Sequence, residues 1–521
     1  MAHMAVHGEV RTGSALTSTL WVAAALIAMF SVFIINGRPL FYFDTMWYVA
    51  QGDTALRQLG VKGESPLHDR NQMRKAEAAK VATEGAAAAQ PAGAAATEIE
   101  AENTVDGSRS AAYSLLSGLL ARLGFLEGLI ALNVVAVLLS VWLPMRLAQR
   151  QLGLHVSLAQ MVCLPIIVAS LGSLPFFVAY LMPDTFAPVL ILCVATLTVF
   201  GRSMRWWEAL LAIALGAFAV VAHLSHLAIV ALLVPASALV AVILSRSRWW
   251  LPPALVLVIL GIGFAEQSML RTAAKEIAQS DVIIKPYITA RLIQDGPGLR
   301  YLERNCPNEA IATCKLYDAL QLSDDPYRLT ATHIVFETSA RLGSFRLMTP
   351  QDQKLVAETQ IPFFFDVLLA APLDTTLAFV KNMLIQSRWV SVEMTLQTDK
   401  MIAQHAGVSG LATGAFTHGR LTRDLGWYGA VTNMQHMLYL VSLAVTAVLL
   451  FWPHRVPGRI KALAVMLLFG ILANALVCGG ISQPATRYGA RVIWLLPLAA
   501  TILVLFFRRA QQFVTSAGGR R

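Results

Sequence analysis

Two carboxylates that suit proton transfer, Asp44 and Asp184, stand beside long apolar segments of this sequence. Asp44 lies in the aromatic-rich stretch Leu-Phe-Tyr-Phe-Asp-Thr-Met-Trp-Tyr after the first apolar segment, and Asp184 follows the break Tyr-Leu-Met-Pro. Ionisable groups near the hydrocarbon of a membrane are costly unless another group pairs with them or a function uses them. A carboxylate in such a place can accept a proton from a hydroxyl group during a group transfer.

Basic side chains that could bind a phosphate group also lie at the ends of apolar segments. Arg109 precedes the second apolar segment, His226 lies between the fifth and the sixth, and Arg487 and Arg491 precede the last one. The last two are four residues apart, so they point the same way on a helix. Guanidinium groups bind phosphate and stabilise the charge that develops on a leaving group. We therefore expect these four residues to bind a donor phosphate.

The same residues also have structural interpretations. Asp44 and Asp184 could cap short helices, because Asp is a favoured N-cap residue. Arg487 and Arg491 could instead reach lipid headgroups. Arginine is disfavoured in loops on the outer side of a membrane, which favours the phosphate-binding interpretation of that pair.

Three further side chains near these positions leave alternatives open. Tyr113 and Tyr488 are predicted to contact substrate, although aromatic residues also populate the membrane interface. His223 and His226 are three residues apart on one helical face, which suits a pair of metal ligands. No third ligand is apparent in the sequence, so a packed or hydrogen-bonded pair is favoured, and a divalent cation is possible but has no assigned ligands.

The composition predicts an all-α membrane protein. The chain has 521 residues, of which 56% are hydrophobic and only 14% charged, too few charges for the surface of a soluble protein. Apolar runs long enough to cross a bilayer predict about ten transmembrane helices. They cover residues 16–35, 126–147, 156–176, 185–200, 206–222, 227–244, 249–268, 434–451, 463–480 and 492–507.

Lysine and arginine in the short loops predict the orientation of these helices. The basic residues at 146–150, 202–205, 246–248, 455–461 and 508–509 all fall on one side of the membrane if both termini are cytoplasmic. Asp44, Asp184, the two histidines and the Arg487 to Arg491 loop then lie on the extracytoplasmic side. The net charge of +10 is largely explained by the cytoplasmic loop ends, so we expect no nucleic-acid partner.

The non-membrane segments divide the chain into three parts. Residues 1–268 form an N-terminal transmembrane module, whose first outer loop, 37–125, carries an Ala-rich, low-complexity insertion at 69–103. Residues 269–433 form an extracytoplasmic segment of mixed polarity, with interfacial helices predicted at 361–392, and residues 434–521 form the C-terminal helices and tail. Cys306 and Cys314 lie close together in the outer segment, and a disulfide is favoured because no nearby side chains complete a metal site.

The residues around these carboxylates resemble the GT-C membrane glycosyltransferases. The stretch Phe43-Asp44-Thr-Met-Trp-Tyr48 resembles the acidic motif that follows the first helix in that superfamily, and Met182-Pro-Asp184 resembles the second acidic motif. Arg109-Ser-Ala-Ala-Tyr113 is similar to the segment that opens the second helix in bacterial members. The resemblance covers the chain to about His226. Only one Asp stands in the first motif, where several families have two adjacent acids, so metal dependence stays open.

The resemblance implies an inverting glycosyltransferase of a bacterial inner membrane. The donor would be a sugar on polyprenyl phosphate or diphosphate, and the acceptor a hydroxyl group of a glycolipid, glycan or protein. Asp44 would be the general base, Asp184 would position the acceptor or support Asp44, and the basic residues would hold the phosphate.

Two alternatives remain at this point. A polysaccharide polymerase or ligase of the O-antigen type joins lipid-linked glycans with arginines and a histidine in an outer loop. A lipid-linked saccharide flippase would move its substrate without covalent change and would line its helices with charge. The predicted spans are nearly free of charge, since Glu208 and Glu266 lie near helix ends, which places the flippase last.

Overall fold

The computed structural model describes residues 15–69, 103–152, 157–339 and 341–518. Most of the predicted insertion at 69–103 lies outside these residues. The helices before the outer segment are α1 to α10, in chain order: Ala15–Asn36, Phe43–Gln58, Ala111–Arg122, Gly128–Leu152, Leu158–Ser170, Leu174–Ala179, Phe186–Phe200, Trp206–Val221, Leu224–Leu244 and Leu251–Ala278.

Short helices dominate the outer segment, and long helices return after it. The short ones are α11 to α19: Tyr287–Asp295, Pro297–Asn305, Thr313–Leu320, Ala331–Phe336, Pro350–Glu358, Gln360–Ala370, Pro372–Arg388, Asp399–Val408 and Arg420–Arg423. The C-terminal helices are α20 to α23: Tyr428–Phe451, Gly458–Leu476, Thr486–Ile493 and Leu495–Gly518.

The protein is a multi-pass α-helical membrane protein. Eight helical segments of the described chain are long and apolar enough to cross a bilayer: Ala15–Asn36, Gly128–Leu152, Pro183–Ser203, Leu224–Leu244, Leu251–Ile277, Tyr428–Phe451, Gly458–Ile481 and Thr486–Phe507. Each corresponds to one of the ten predicted spans.

The other two predicted spans contain shorter helices. In the third, α5 ends at Ser170, and the turn at 171–173 separates it from α6. The turn, Leu-Gly-Ser, is only three residues long and has apolar residues on both sides, so a hydropathy window does not reveal the break. In the fifth, α8 has only 16 residues, because His223 already caps α9.

Helices α16 and α17, at the position of the predicted interfacial helices, form an elbow with an angle of 115°. Several of their apolar side chains are exposed, including Leu369 and Leu373. The other side of α17 packs against a π-helical turn, Val477–Ile481, that follows α21. A Cβ atom on Gly479 would lie 2.6 Å from the carbonyl oxygen of Asn382, so glycine permits this close approach.

One short parallel ribbon departs from the all-α prediction. Strand β1, Asn103–Asp106, pairs with strand β2, Ser280–Ile283, in the register Asn103 to Ser280 and Asp106 to Ile283. The first strand leads into α3 and the second follows α10. The ribbon therefore joins the first outer loop to the outer segment.

The outer segment has a hydrophobic core of its own, which includes Leu292, Leu316, Phe345 and Val367. Cys306 and Cys314 lie in this segment and are joined by a disulfide, as the sequence predicts. Residues from Val392 to Phe416, by contrast, pack into the core of the membrane helices.

We expect the double variant Cys306→Ser with Cys314→Ser to destabilise the outer segment by about 2 to 3 kcal/mol. Removing the link gives the unfolded segment more conformational freedom, and the eight-residue spacing closes only a short loop. Thermal unfolding of the purified protein measures the change. A reducing agent should lower the unfolding temperature of the wild type and leave the variant unaffected. A wild type that unfolds at the same temperature with its disulfide reduced would contradict this expectation.

Candidate functional site

A cavity of about 1000 Å³ lies where the first outer loop, α9, the turn before α22 and the outer segment meet. Its polar wall includes Asp44, Arg109, His223, Lys285 and Arg487. An apolar wall is provided by α9 and α10 through Leu227, Ala228, Ala231 and Phe264. The cavity thus places charged groups next to a surface that suits a hydrocarbon chain.

Backbone pairing brings the two predicted carboxylates to the same end of the bundle. Leu40 pairs with Tyr180 in a parallel β-bridge, with hydrogen bonds from Leu40 N to Ala179 O and from Leu181 N to Leu40 O. The Thr45 hydroxyl donates to Leu181 O at 3.1 Å. These contacts hold the start of α2 beside the turn that carries Asp184.

Asp44 lies in the first turn of α2 and faces the cavity. The capping interpretation is wrong, because Tyr42 occupies the N-cap and its backbone N–H bonds to Thr45. The Asp44 carboxylate accepts a hydrogen bond from Arg109 Nη2 at 2.7 Å, and its other oxygen lies 3.9 Å from Arg487 Nη1. Its side chain remains 31% exposed. Asp44 is therefore held between two guanidinium groups and is still accessible to a ligand.

Asp184 lies deeper, in the 3-10 turn Pro183–Thr185, and is fully buried. It does not cap α7, whose N-cap is Thr185. Its Oδ1 atom lies 3.5 Å from Arg487 Nε and 3.3 Å from Arg491 Nη1. Asp184 does not line the cavity, so its position suits orienting Arg487 better than contacting a substrate.

Arg487 lines the cavity and is 5% exposed. Its guanidinium lies over the rings of Tyr42 and Tyr488, at 4.4 Å and 5.0 Å from their centroids. Gln386 of α17 fixes the turn before Arg487 through two 2.9 Å hydrogen bonds with the backbone of Ala485. Burial between acidic and aromatic partners contradicts the lipid-headgroup interpretation.

Arg491 lies one helical turn deeper than Arg487 and is fully buried. It donates to Asn474 Oδ1 from Nε and Nη2, at 3.0 Å and 2.8 Å, and to Ser225 Oγ at 3.1 Å. It does not line the cavity. The i, i+4 spacing gives both arginines the same direction but different depths, so only Arg487 is placed to touch a phosphate.

The cavity contains His223 rather than the predicted His226. His226 is fully buried, and its Nδ1 atom lies 2.6 Å from Ala219 O. His223 lines the cavity and accepts at Nδ1 from the backbone N–H and the hydroxyl of Ser225, which leaves the ring proton on Nε2. Burial and the nearby Arg491 and Arg487 lower the pKa of His223 well below its usual value. His223 is therefore a neutral hydrogen-bond donor.

The two predicted tyrosines occupy different environments. Tyr488 lines the cavity, with its hydroxyl 3.4 Å from Arg487 Nη2. Tyr113 is buried and does not line the cavity. Its ring packs edge-to-face with the rings of Tyr48 and Phe186. Tyr48 occupies the position on the cavity wall that the sequence assigned to Tyr113.

Two charged residues of the site, Asp106 and Lys285, were not predicted. Asp106 is the last residue of β1 and Lys285 lies two residues after the end of β2, so the ribbon brings them together. Asp106 Oδ2 lies 3.1 Å from Arg109 Nη1 and 2.5 Å from Lys285 Nζ. Although burial raises the pKa of Asp106, Lys285 and Arg109 outweigh it and lower the pKa overall. Burial likewise lowers the pKa of Lys285 in spite of Asp106.

The carboxylates of the site do not fit a divalent cation. Asp44 and Asp184 each contact two arginines, so neither is available as a ligand without displacing a cation. Throughout the described ranges, no three His, Cys, Asp or Glu side chains lie close enough together to hold a metal ion.

We compared the chain with known protein families, curated proteins and solved structures. No family model, curated protein or solved structure matches the chain.

Proposed function

We propose that this protein is an inverting membrane glycosyltransferase. It would move a sugar from a polyprenyl phosphate or diphosphate to a hydroxyl group of a glycolipid, glycan or protein. The reaction would take place on the extracytoplasmic face of a bacterial inner membrane, and both termini of the protein would be cytoplasmic. The proposal rests on the resemblance of the acidic motifs to the GT-C superfamily. The observation that supports it most is the accessible Asp44 carboxylate between Arg109 and Arg487 in a cavity with an apolar wall.

In the proposed reaction Asp44 accepts the proton of the acceptor hydroxyl group. The hydroxyl oxygen forms a bond to the anomeric carbon while the bond from that carbon to the phosphate oxygen breaks, and the phosphate leaves with the electron pair. General-base catalysis of this kind contributes roughly 10²- to 10⁴-fold to a rate. Attack from the side opposite the phosphate inverts the anomeric carbon.

Besides a general base, the proposed reaction requires positive charge next to the leaving phosphate. Arg487 and Arg109 line the cavity on either side of Asp44, and the Nε2–H of His223 is a third donor. Asp184 and Arg491 would act behind Arg487 by fixing the direction of its guanidinium. A preorganised set of donors of this type needs no rearrangement as charge develops on the leaving phosphate.

The apolar wall would hold the lipid. Leu227, Ala228 and Ala231 lie on one face of α9, and Phe264 of α10 lines the same cavity. A prenyl chain packed there would place its phosphate at the polar end of the cavity. This arrangement couples recognition of the lipid to placement of the sugar beside Asp44.

Mass spectrometry of surface glycoconjugates tests the proposal. We expect a deletion strain to lose one sugar residue from a surface glycolipid, glycan or protein and to accumulate a polyprenyl-linked sugar. Expression of the wild-type chain should restore the sugar and remove the accumulated lipid. Unchanged glycoconjugates in the deletion strain would contradict the proposal.

Purified protein in lipid vesicles distinguishes the alternative functions. A glycosyltransferase should form a new glycosidic bond from the accumulated lipid-linked sugar and the modified acceptor. Movement of that lipid between leaflets with no new bond would identify a flippase. Transfer of a whole glycan rather than a single sugar would identify a polymerase or ligase.

A further inference from the structure

Three cationic side chains lie in a row along the polar wall of the cavity: Lys285, Arg109 and Arg487. Lys285 Nζ and Arg109 Nη1 contact the same oxygen of Asp106, at 2.5 Å and 3.1 Å, so the two nitrogens are at most about 6 Å apart. Arg109 and Arg487 approach different oxygens of Asp44, at 2.7 Å from Arg109 Nη2 and 3.9 Å from Arg487 Nη1. Arg109 is therefore the shared member of two neighbouring cation pairs.

The charges of the site do not cancel. Four cations, namely Lys285, Arg109, Arg487 and Arg491, contact three carboxylates, namely Asp106, Asp44 and Asp184. At the cavity wall, α10 adds Arg271 and Lys275, for which the described residues provide no ion-pair partner. Glu358 and the ion pair between Lys354 and Asp281 also lie on this wall. The excess of positive charge favours a ligand with more than one negative charge.

The number of cations in this row indicates how many phosphate groups a ligand could place there. A single phosphate group can bridge one pair of neighbouring cations, whereas two phosphates joined through one oxygen can occupy both pairs at once. Lysine binds phosphate as a point charge and arginine through two directed hydrogen bonds. A row with arginine in the centre and a cation at each end suits two linked phosphates.

Building on the proposed function, we propose that the donor is a polyprenyl diphosphate sugar. The sugar-bearing phosphate lies between Arg487 and Arg109, next to Asp44, and the prenyl-bearing phosphate lies between Arg109 and Lys285. The bond between the anomeric carbon and the sugar-bearing phosphate breaks. The polyprenyl diphosphate leaves with the electron pair, and the proton of the acceptor goes to Asp44.

Binding of farnesyl phosphate and farnesyl diphosphate to the purified full-length protein in detergent tests this inference. We expect farnesyl diphosphate to bind at least about 10-fold more tightly than farnesyl phosphate, because it contacts one more cation. Lys285→Gln should abolish this preference and change the affinity for farnesyl phosphate less than about twofold. Lys285→Arg, which keeps the charge, should retain the preference. Lys315→Gln, which removes an exposed lysine of the outer segment, is the matched control.

The results separate this inference from the proposed function. Equal affinity for the two lipids, tighter binding of the monophosphate, or a diphosphate preference that survives in Lys285→Gln would overturn the diphosphate assignment and leave a monophosphate-dependent glycosyltransferase. Failure of both lipids to bind would count against the proposed function as well. Thermal unfolding of each variant shows whether Lys285→Gln is folded. If it is not, loss of the preference in Lys285→Arg decides against the assignment.

Discussion

Asp44→Asn is expected to reduce sugar transfer by roughly 10³-fold, because the amide cannot accept the proton of the acceptor hydroxyl. The variant should bind farnesyl diphosphate at least as tightly as the wild type, since one negative charge between Arg109 and Arg487 is removed. Transfer is measured with the lipid-linked sugar that accumulates in the deletion strain. A lower turnover with undiminished binding separates loss of the base from loss of the site.

Asp374→Asn is the matched control for this substitution. Asp374 is an exposed carboxylate that also pairs with an arginine, Arg300, but lies outside the cavity. We expect it to retain wild-type transfer. Wild-type turnover by Asp44→Asn would remove the general base from the mechanism and favour a ligase that depends on the arginines and His223.

Gly52→Leu is expected to destabilise the protein by about 3 kcal/mol or more, because α2 and α3 cross with their backbones in contact. A Cβ atom on Gly52 would lie 1.8 Å from the carbonyl oxygen of Ser114, and one on Gly118 would lie 2.5 Å from the backbone of Gly52. Main-chain atoms cannot move aside as a flexible side chain can. The two helices must separate, and with them Asp44 at the start of α2 and Arg109 just before α3.

Thermal unfolding and transfer activity measure this effect together. Gly261→Leu is the matched control, since Gly261 is also helical and a Cβ atom there would meet nothing within 4 Å. The control should unfold near the wild-type temperature and remain active. Equal unfolding temperatures for the two variants would show that the crossing of α2 and α3 can relax without cost.

The membrane fold could largely be predicted from the sequence, because a spanning helix needs a long apolar run and such runs are easily recognised. Eight segments of the described chain meet this requirement where the sequence predicts spans. The break between α5 and α6 was not visible in the hydropathy, since it is only three residues long and lies between two apolar segments. The elbow between α16 and α17 was predicted as helical, but its 115° angle depends on tertiary packing.

Part of the candidate site was also predictable, for a different reason. Loops on the same side of a membrane lie at a similar height, so the sequence predicted that Asp44, Arg109 and Arg487 lie close together. The structure places Asp44 in contact with both arginines. The side of the membrane on which a loop lies does not indicate how deeply a side chain is buried within the protein. Arg491 and His226 therefore proved to lie behind the cavity wall rather than on it. Asp106 and Lys285 were missed because the two four-residue strands that bring them together pair across a long stretch of sequence.

The network from Lys285 to Arg491 has a consequence for biosynthesis. Its members come from the beginning, the middle and the end of the chain, and Asp184 meets both of its cations only through α22, close to the C-terminus. Before α22 is inserted, Asp184 has neither of its two guanidinium partners, Arg487 and Arg491. A carboxylate in that situation is costly. Insertion of α22 therefore both neutralises Asp184 and completes the cationic wall, so the cavity acquires its charge pattern only after this helix has joined the bundle.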